Sequence, residues 1–526
     1  MKASTTVLPK HPSRDWAALY DQQLADRLGY ACKFVQANRD TPETIYPHFQ
    51  SLLTLFDRAL ERPFLHPLAA DLVAALHPLP YHWGHWQEWL YISRRSVDLF
   101  AALERPLPQA DLLAGMIDVL CELGRYSEAR QVFAEMWRIH LAGSVIRPLI
   151  RAGHRLSTRL LLGGRLAESL AEFERQAALL ADIRADLPPE DLVYAGIYLD
   201  LQEVLILRRQ GRRDESVSRM EAVLAQAGNW PKAPVDLRRE VHHHHGGTRL
   251  ATDEFVLSAA AMDQAIHCAV EMGDPFAEAS LYIDKTIPLW SMGKFDEVET
   301  AVRRGLYLCE KLNANWQVLT AISILVDVFI VRGEFEEALS WSAPLITLAQ
   351  QLGDEINESN AKTVRAITLL HQGAVEQARL PLEECLLWYR EKQSVRWQSL
   401  IEANLSLYWA LAGDAVRGRQ LAQEALLHAQ GAQAVNVTIL AWRSVVRFQT
   451  GQEKKESLMY AAKLAREHHM LYAEASVLLL LAACYENEDE QMGCWQQAVD
   501  LLNGMGLENW LNGRSPQNPP HLPLIA

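Results

Sequence analysis

Residues 333–338 read GEFEEA, and residues 373–378, 40 positions later, read GAVEQA. The leading glycine of these motifs belongs to an evenly spaced series, Gly293, Gly333, Gly373 and Gly413, in which each member lies 40 positions after the one before. Each of these glycines separates two runs of apolar residues with helical periodicity. One helical hairpin repeated at a fixed period is the signature of an α-solenoid, so the sequence predicts an all-α array of stacked hairpins.

The composition supports a folded chain. Of 526 residues, 49% are hydrophobic and 22% are charged, which is typical of a globular or repeat protein. The formal net charge is −14. Because phosphate contacts require a positive surface, direct binding to nucleic acid is not expected on this balance.

The cysteines and the apolar runs indicate a cytoplasmic protein. The seven cysteines include no Cys-x-x-Cys pair, and they are predicted to be buried apolar residues in a reducing compartment. Residues 1–16 lack the apolar core of a signal peptide. The longest apolar run, 475–484, is too short to span a bilayer, so no membrane partner is expected.

Prolines, glycines and the repeat period suggest six segments. They are a disordered lead (1–13), a helical N-terminal cap (14–104), N-terminal repeats (105–229), an irregular loop or hinge (230–252), a C-terminal repeat array (253–504) and a flexible tail (505–526). The repeat between Gly211 and Gly293 lacks a recognisable turn glycine and is therefore expected to be degenerate.

An aromatic segment over residues 81–91 contains three tryptophans and two tyrosines. Such a segment can be a binding platform, or an apolar plug where the cap meets the first repeat. The plug is the favoured interpretation, because aromatic rings contribute strongly to core burial.

The turn pattern is Gly, an aromatic or aliphatic residue two positions later, and often Ala at the fifth, as in residues 124–129, 333–338 and 373–378. This pattern resembles the tetratricopeptide (TPR) repeat, although the turn glycines here recur every 40 positions instead of every 34. The longer period, and the segment around residues 84–90, resemble the sensor arrays of large bacterial signalling NTPases of the maltose-activator and NB-ARC types. The phosphate-binding motif GxxxxGK[ST] is not found in the chain, so the resemblance implies a binding role without an NTPase module.

A series of arginines forms the candidate partner-binding site. The acid-free stretch 136–167 contains, at a spacing of four that places them along one helix face, Arg147, Arg151, Arg155 and Arg159. Arg138 and Arg165 flank them in the same stretch. The six can form a clamp for an acidic peptide, an acidic helix or a phosphate. Alternatively, they pair with acids of neighbouring helices such as Glu168, Glu172, Asp200 and Glu203.

Other chemistry is weakly indicated. His242–His245 can bind a metal ion, but adjacent residues cannot all face one ion and no further ligands lie nearby in the sequence. A polar loop is therefore the favoured interpretation, and no metal site or cofactor is predicted. HExxH, GxSxG and a GxGxxG after a strand are not found, so the chain is not expected to be an enzyme.

The function predicted from these patterns is that of a protein–protein interaction scaffold, adaptor or sensor. It would capture a protein or peptide partner, with acidic character favoured by the arginines, in a concave groove. Two alternatives remain. One is a regulatory subunit that controls an effector, such as a protease or sigma-type factor, with residues 230–252 as switch or cleavage site; the other is a receptor for a peptide signal.

Overall fold

The computed structural model describes residues 16–39, 41–140, 145–432 and 434–524. The predicted lead over residues 1–13 lies outside these ranges. Within them the chain is helical, with one isolated β-bridge between Ser515 and Asn518 and no strand. The predicted all-α fold class is therefore confirmed.

The chain divides into two compact units. Unit 1 consists of the described residues up to Gln210 together with Lys311–Ala314, and unit 2 consists of Gly211–Glu310 and the described residues from Asn315 onward.

Unit 1 begins with six helices in the region predicted as the N-terminal cap and continues with helical hairpins. Its α-helices are α1 (Trp16–Ala37), α2 (Pro42–Ile45), α3 (Phe49–Leu60), α4 (His66–Leu76), α5 (Leu79–His82), α6 (Trp86–Ala102), α7 (Pro106–Glu122), α8 (Tyr126–His140), α9 (Ile146–Leu162), α10 (Leu166–Ile183) and α11 (Pro189–Arg209). Short 3₁₀ turns cover Tyr46–His48, Pro63–Leu65 and Arg184–Asp186.

Unit 2 is a series of hairpins with helices of mostly 16 to 18 residues. Its α-helices are α12 (Arg213–Gly228), α13 (Val235–Ala251), α14 (Phe255–Glu271), α15 (Pro275–Ser291), α16 (Phe295–Leu312, whose last two residues group with unit 1), α17 (Asn315–Arg332), α18 (Phe335–Leu352), α19 (Glu355–Gln372), α20 (Val375–Glu391), α21 (Val395–Leu411), α22 (Ala415–Gly431), α23 (Val435–Val445), α24 (Gly451–Glu467), α25 (Leu471–Ala482) and α26 (Glu488–Gly504). Short 3₁₀ turns cover Val446–Phe448 and Glu508–Leu511.

From α7 onward, the odd-numbered helices are the first, or A, helices of the hairpins, and the even-numbered helices are the second, or B, helices. Successive A helices pack on each other from α7 to α11 in unit 1 and from α15 to α25 in unit 2, as α19 packs on α17 and α21 besides its own B helix α20. These A helices form a layer in each unit, and residues about one repeat apart lie beside each other in it.

The predicted turn glycines end the A helices in the left-handed conformation. Gly333 has φ +77°, its N–H donates to Ile330 O (3.0 Å), and the N–H of Glu334 donates to Phe329 O (2.8 Å). This pattern is that of a Schellman cap, in which the left-handed residue is usually glycine because it has no Cβ to clash.

Other residue types also adopt this conformation at helix ends. The non-glycine residues with positive φ among the described residues are Glu104, Asp253, Asn313, Gln393 and His469. Asp253 (φ +61°) lies 40 positions before Gly293, where the sequence lacked a turn glycine. The repeat that was expected to be degenerate is therefore a regular hairpin, α13–α14.

The predicted irregular loop over residues 230–252 is wrong, because most of it is helix α13. Pro231 and Pro234 lie before the first helical residue, where proline is compatible with a helix start. Gly246 is buried against α14, where an added Cβ would lie 2.8 Å from Met262 Cε and 3.2 Å from Ser258 O. Gly246 is thus a close-packing residue inside the helix, and His242–His245 lie on successive positions of α13.

The prediction of a flexible tail over residues 505–526 is also wrong for the residues that are described, 505–524. Met505, Leu507, Leu522 and Leu524 are buried. Trp510 donates its indole N–H to Val331 O (2.7 Å) and covers Gly333. The prolines exclude a helix here, but they do not prevent an extended segment from packing.

The aromatic segment 81–91 is packed as a plug, in agreement with the favoured interpretation. Trp83 and Trp89 are 2% and 0% exposed, and Trp83 makes edge-to-face contacts with Tyr46 and Phe49. The plug belongs to unit 1 and packs α5 and α6 against the earlier helices of the cap.

One described helix, α17, is long and apolar enough to cross a membrane by length and composition alone. Of its most apolar window, 56% is buried inside the structure. Its neighbours α15, α18 and α19 cover it, as expected for a core helix of a repeat array.

Helix α9 is held in place by a buried polar contact around Gly153. The side-chain amide of Gln176 donates to Gly153 O (3.3 Å) and accepts from Gln202 (3.0 Å). A Cβ at Gly153 would lie 2.3 Å from Gln176 Oε1 and 2.8 Å from Phe133 Cζ.

Replacement of Gly153 by alanine is expected to destabilise unit 1 by about 1–3 kcal/mol, because the added methyl group overpacks the contact with Gln176. Gly196, within α11, is the matched control, since a Cβ added there would have nothing within 4 Å. Gly196→Ala should be neutral or stabilising by up to about 1 kcal/mol. Denaturant unfolding followed by circular dichroism compares the two; equal effects would contradict the packing argument.

Replacement of Gln393 by glycine is expected to stabilise unit 2 by about 1 kcal/mol, because Gln393 is exposed and has φ +55°. Gln393→Ala keeps the backbone strain and is expected to give no such gain. The readout is the midpoint of thermal unfolding, and a glycine variant no more stable than the alanine variant would disprove the prediction.

Candidate partner-binding surfaces

Four predicted site residues lie along one helix. Arg147, Arg151, Arg155 and Arg159, hereafter the arginine row, project from α9, which packs between the A helices α7 and α11. The opposite face of α9 is buried through residues such as Leu149, Leu156 and Leu160. The structure thus brings the four arginines together on the A-helix layer of unit 1, as the spacing of four predicts.

Acidic residues on both neighbouring A helices pair with the row. Arg155 contacts Asp118 on α7 (2.7 Å), and Arg147 contacts Asp191 on α11 (2.6 Å). Arg147 also lies over the ring of Tyr194, 5.1 Å from its centroid. These pairs fix the guanidinium groups across three adjacent helices.

Arg159 connects the row to the aromatic segment. It pairs with Glu122 (2.7 Å) and donates to the hydroxyl of Tyr81 (3.1 Å), which in turn donates to Glu122 (3.1 Å). Burial raises the pKa of Tyr81 above its usual value, so the phenol stays protonated. Tyr81 is a member of this surface that the sequence did not identify as such.

Acidic side chains on the neighbouring A helices offset the positive charge of the row. Burial raises the pKa of Asp111 on α7, while the nearby charges of Arg151 and Arg155 oppose this shift. The paired arginine side chains remain 35–49% exposed, whereas the side chains of their acidic partners are only 11–26% exposed. A partner carboxylate can therefore reach the guanidinium groups, but taking an arginine away from its more buried acid costs more than the loss of a fully exposed pair, which is worth about 0–1 kcal/mol.

The other two predicted residues lie apart from the row. Arg165, in the turn after α9, pairs with Glu168 (2.5 Å) and lies over the ring of Tyr126, and Arg138 is exposed on the B helix α8. Two of the four acids predicted as alternative partners, Glu168 and Glu172, contact Arg130, Arg165 and Arg175. The other two, Asp200 and Glu203, lie on α11, which packs against α9.

A second surface lies on the A-helix layer of unit 2, where residues 522–524 run across it in extended form. Four successive A helices each contribute one polar side chain to this site, and the 3₁₀ turn after α23 contributes a second arginine. We call these residues the inner pocket: His371 (α19), Asn404 (α21), Arg443 (α23), Arg447 and Tyr472 (α25).

The inner pocket contacts the main chain of the extended segment. Arg443 donates to Leu522 O (2.6 Å) and Pro523 O (3.3 Å). Asn404 donates to Leu524 O (3.3 Å), and Tyr472 donates to Pro523 O (3.5 Å). Every carbonyl from residue 522 to residue 524 therefore accepts a hydrogen bond from a pocket side chain.

His371 accepts a hydrogen bond from the N–H of Leu524 (3.3 Å) through Nε2. Burial, together with the charges of Arg443 and Arg447, lowers the pKa of His371 to about 3. The imidazole is therefore neutral at physiological pH, which is the state that can accept this bond.

The sequence reasoning missed the inner pocket, although a signal was present. Residues 425–452 contain no Asp or Glu but include Arg443 and Arg447, four positions apart. This is the criterion that singled out the arginine row. The sequence assigned this region to the C-terminal repeat array, but it did not place the final residues over it.

Comparisons with known proteins agree with the fold. A model of the pentatricopeptide (PPR) repeat family matches residues 115–141, which span the turn between α7 and α8. A search of curated proteins by sequence found no match.

Solved structures resemble the chain over most of its length. A Rap protein complexed with competence and sporulation factor is 11% identical, with a TM-score of 0.51, and the match covers 69% of this chain and 99% of that one. The apo form of RapI is 12% identical, with a TM-score of 0.52 and coverage of 68% and 98%. A signal transduction ATPase with a tetratricopeptide repeat sensor from Pyrococcus horikoshii is 12% identical, with a TM-score of 0.43 and coverage of 73% and 55%.

At these identities the two Rap structures establish architecture alone. Together with the hairpin geometry they identify a TPR-like α-solenoid, so the resemblance to TPR arrays predicted from the turn motifs is confirmed as a matter of fold.

Proposed function

We propose that the chain is a non-catalytic scaffold that captures an extended segment of a peptide or protein partner on its A-helix layers, as an adaptor or sensor in a bacterial signalling system. The observation that carries this proposal is the inner pocket, where side chains from four successive A helices bind the main chain of an extended segment. Main-chain groups are common to all peptides, so the same side chains can bind a segment from another molecule.

The fold supports this role. The Rap protein with a TM-score of 0.51 is complexed with a factor in its solved structure, and its architecture is shared by this chain. Of the two alternatives derived from the sequence, the peptide-signal receptor is favoured by the inner pocket. The regulatory-subunit alternative loses its proposed switch loop, because residues 235–251 are helical.

The arginine row is proposed to contribute an acidic preference in unit 1. Arg147, Arg155 and Arg159 are oriented by pairs with α7 and α11, and their side chains remain 35–49% exposed. A partner carboxylate would form charge-assisted hydrogen bonds on the exposed side of these groups. The attraction is expected to weaken as salt is added, because these groups are partly exposed.

Charge reversal tests the row. The double variant Arg151→Glu and Arg155→Glu is expected to lose at least tenfold in partner recovery when the purified chain is used as bait in a lysate of its native host. Arg184→Glu, on an exposed 3₁₀ turn of the same unit, is the control and should recover the partner normally. Quantitative mass spectrometry of the eluates gives the readout.

A second variant separates binding from folding, because Arg155→Glu would oppose Asp118 at short range. Arg155→Gln combined with Asp118→Asn removes both charges of the pair without creating repulsion. It is expected to keep the thermal midpoint of the native chain and still reduce partner recovery. Normal recovery with both this variant and the charge reversal would leave the row with only a structural role.

A further inference from the structure

We propose that residues 505–524, hereafter the closing segment, are an internal ligand of the inner pocket, and that the natural ligand is an extended apolar peptide bearing a carboxylate, which displaces the end of this segment. The inference rests on the proposed function, since it specifies the ligand class and the regulation of the same site.

The end of the closing segment is bound as a peptide ligand would be. Its carbonyls at residues 522–524 accept hydrogen bonds, and its two leucines occupy apolar sockets on either side of Pro523. Leu522 packs in a cluster with Ile439, Val446 and Leu478, and Leu524 in a cluster with Leu370 and Ala441. The pocket is therefore shaped for an apolar–proline–apolar peptide in extended form.

The closing segment leaves the charge of the pocket unbalanced. Arg443 is 6% exposed, yet the groups that accept its hydrogen bonds are the neutral carbonyl oxygens of residues 522 and 523. Within the described part of the chain, the Nε–H groups of Arg443 and Arg447 have no hydrogen-bond acceptor. Buried charges in proteins are normally paired, so these two donors indicate an acceptor group that the closing segment does not supply.

The electrostatics agree with a missing anion. Burial lowers the pKa of Arg443 to about 10, and burial together with the charge of Arg443 lowers the pKa of Arg447 to about 10. Among the described residues, no carboxylate contributes to either shift. A carboxylate satisfies two guanidinium N–H groups at once and offers the strongest neutralisation available to a peptide.

The closing segment is also attached at its other end, through contacts that are separate from the inner pocket. Trp510 covers Gly333 and donates to Val331 O, and Met505 packs over Gly293. Between Trp510 and the pocket, residues 512–514 are exposed, and a turn closed by Ser515 and Asn518 follows. Residues 519–524 can therefore leave the pocket while Trp510 stays in place.

Tethering explains how a weaker ligand holds the site. A segment linked by a short chain has a high effective concentration, so it occupies the pocket unless a competitor binds much more tightly. The carboxylate gives the external peptide this advantage, and removing the tethered competitor should raise the apparent affinity of the pocket.

The test uses a chain ended after Leu511, which keeps Trp510, beside the full chain. The probes are fluorescein-labelled peptides of residues 517–523 (QNPPHLP), which end at the residue whose carbonyl accepts from Arg443. One has a free C-terminal carboxylate and one is amidated, so that they differ in the charge at this position. Fluorescence anisotropy is expected to show binding of the free acid to the shortened chain, at least tenfold tighter than the amide. The full chain should bind the free acid at least tenfold more weakly than the shortened chain.

Arg443→Met in the shortened chain is expected to remove the preference for the free acid. The matched control is Arg466→Met, which changes an exposed arginine of α24 that pairs with Glu474. The proposal is overturned if a folded shortened chain binds neither peptide, if acid and amide bind equally, or if the full chain binds as tightly as the shortened one.

A second design applies if the shortened chain does not fold. A protease site is inserted between Gly513 and Arg514 of the full chain, and the folded protein is cut there. The released end is expected to exchange with excess labelled free-acid peptide, as measured by gel filtration. Retention of the original end against excess peptide, or unfolding after cutting, would show that the segment is structural and would refute the proposal.

These outcomes are distinguishable from failure of the proposed function. If the peptide experiments fail but the arginine-row variants still lose a partner, the chain is a scaffold without an internal ligand. If both fail, the proposed function falls as well.

Discussion

The structure depends on a backbone constraint at the helix ends: a left-handed residue stops a helix and reverses the chain at nearly regular intervals. Such residues stand at Gly273, Gly293, Asn313, Gly333 and Gly353, each 20 positions after the one before. Equal helix lengths follow, and equal lengths align every A helix with the next. Because the A helices pack in one layer, side chains about one repeat apart in sequence become neighbours. Asp118 on α7 and Arg155 on α9, 37 positions apart, are an example of the pairs that result.

This constraint explains which parts of the structure were predictable from the sequence. The constant interval between the glycines predicted where each hairpin turns, and therefore which side chains share a helix face. Asp253 in the left-handed conformation was not recognisable, since aspartate is more often a cap or turn residue. Glycine is unfavourable in helices, so Gly246 contributed to the prediction of an irregular loop over residues 230–252. In the structure, close packing on Met262 outweighs the cost of about 1 kcal/mol for a glycine inside a helix. The prolines after Gly504 correctly excluded a helix; they carry no information about whether an extended segment is packed.

The candidate sites were likewise predictable only where they follow the repeat. The spacing of the arginine row was visible, and the helix it predicted is present. Its acidic partners Asp118, Glu122 and Asp191 lie on the A helices on either side. Of the four acids named from the sequence, Glu168 and Glu172 lie on the B helix α10, while Asp200 and Glu203 lie on the neighbouring A helix α11. The inner pocket could not be assembled from sequence, because it requires Arg443 to meet residues 522 and 523, some 80 positions away. Long-range contacts of a non-repeating segment follow no period.

The two arginine sites differ most in how their charge is balanced, and this difference indicates where a ligand has the larger effect. In the arginine row, the guanidinium groups are half-exposed and already paired with acids that are largely buried, so a ligand gains little by replacing those acids. In the inner pocket, a nearly buried guanidinium has only carbonyl partners among the described residues, and leaving a buried charge unpaired costs several kcal/mol.

The gain that a carboxylate offers in the inner pocket comes from its charge. The bonds from Arg443 to the two carbonyl oxygens already have a charged donor, so each falls in the range of about 1.5–3 kcal/mol. A carboxylate adds the attraction between opposite charges, about 4 kcal/mol at a separation of about 4 Å and an effective dielectric constant of about 20, before its own desolvation is subtracted. This gain is comparable to the advantage of tethering, where avidity can reach 10²–10⁴, or roughly 3–5 kcal/mol. The closing segment and an acidic peptide are thus closely matched competitors, which is the condition under which a change in ligand concentration can switch the occupancy of the pocket.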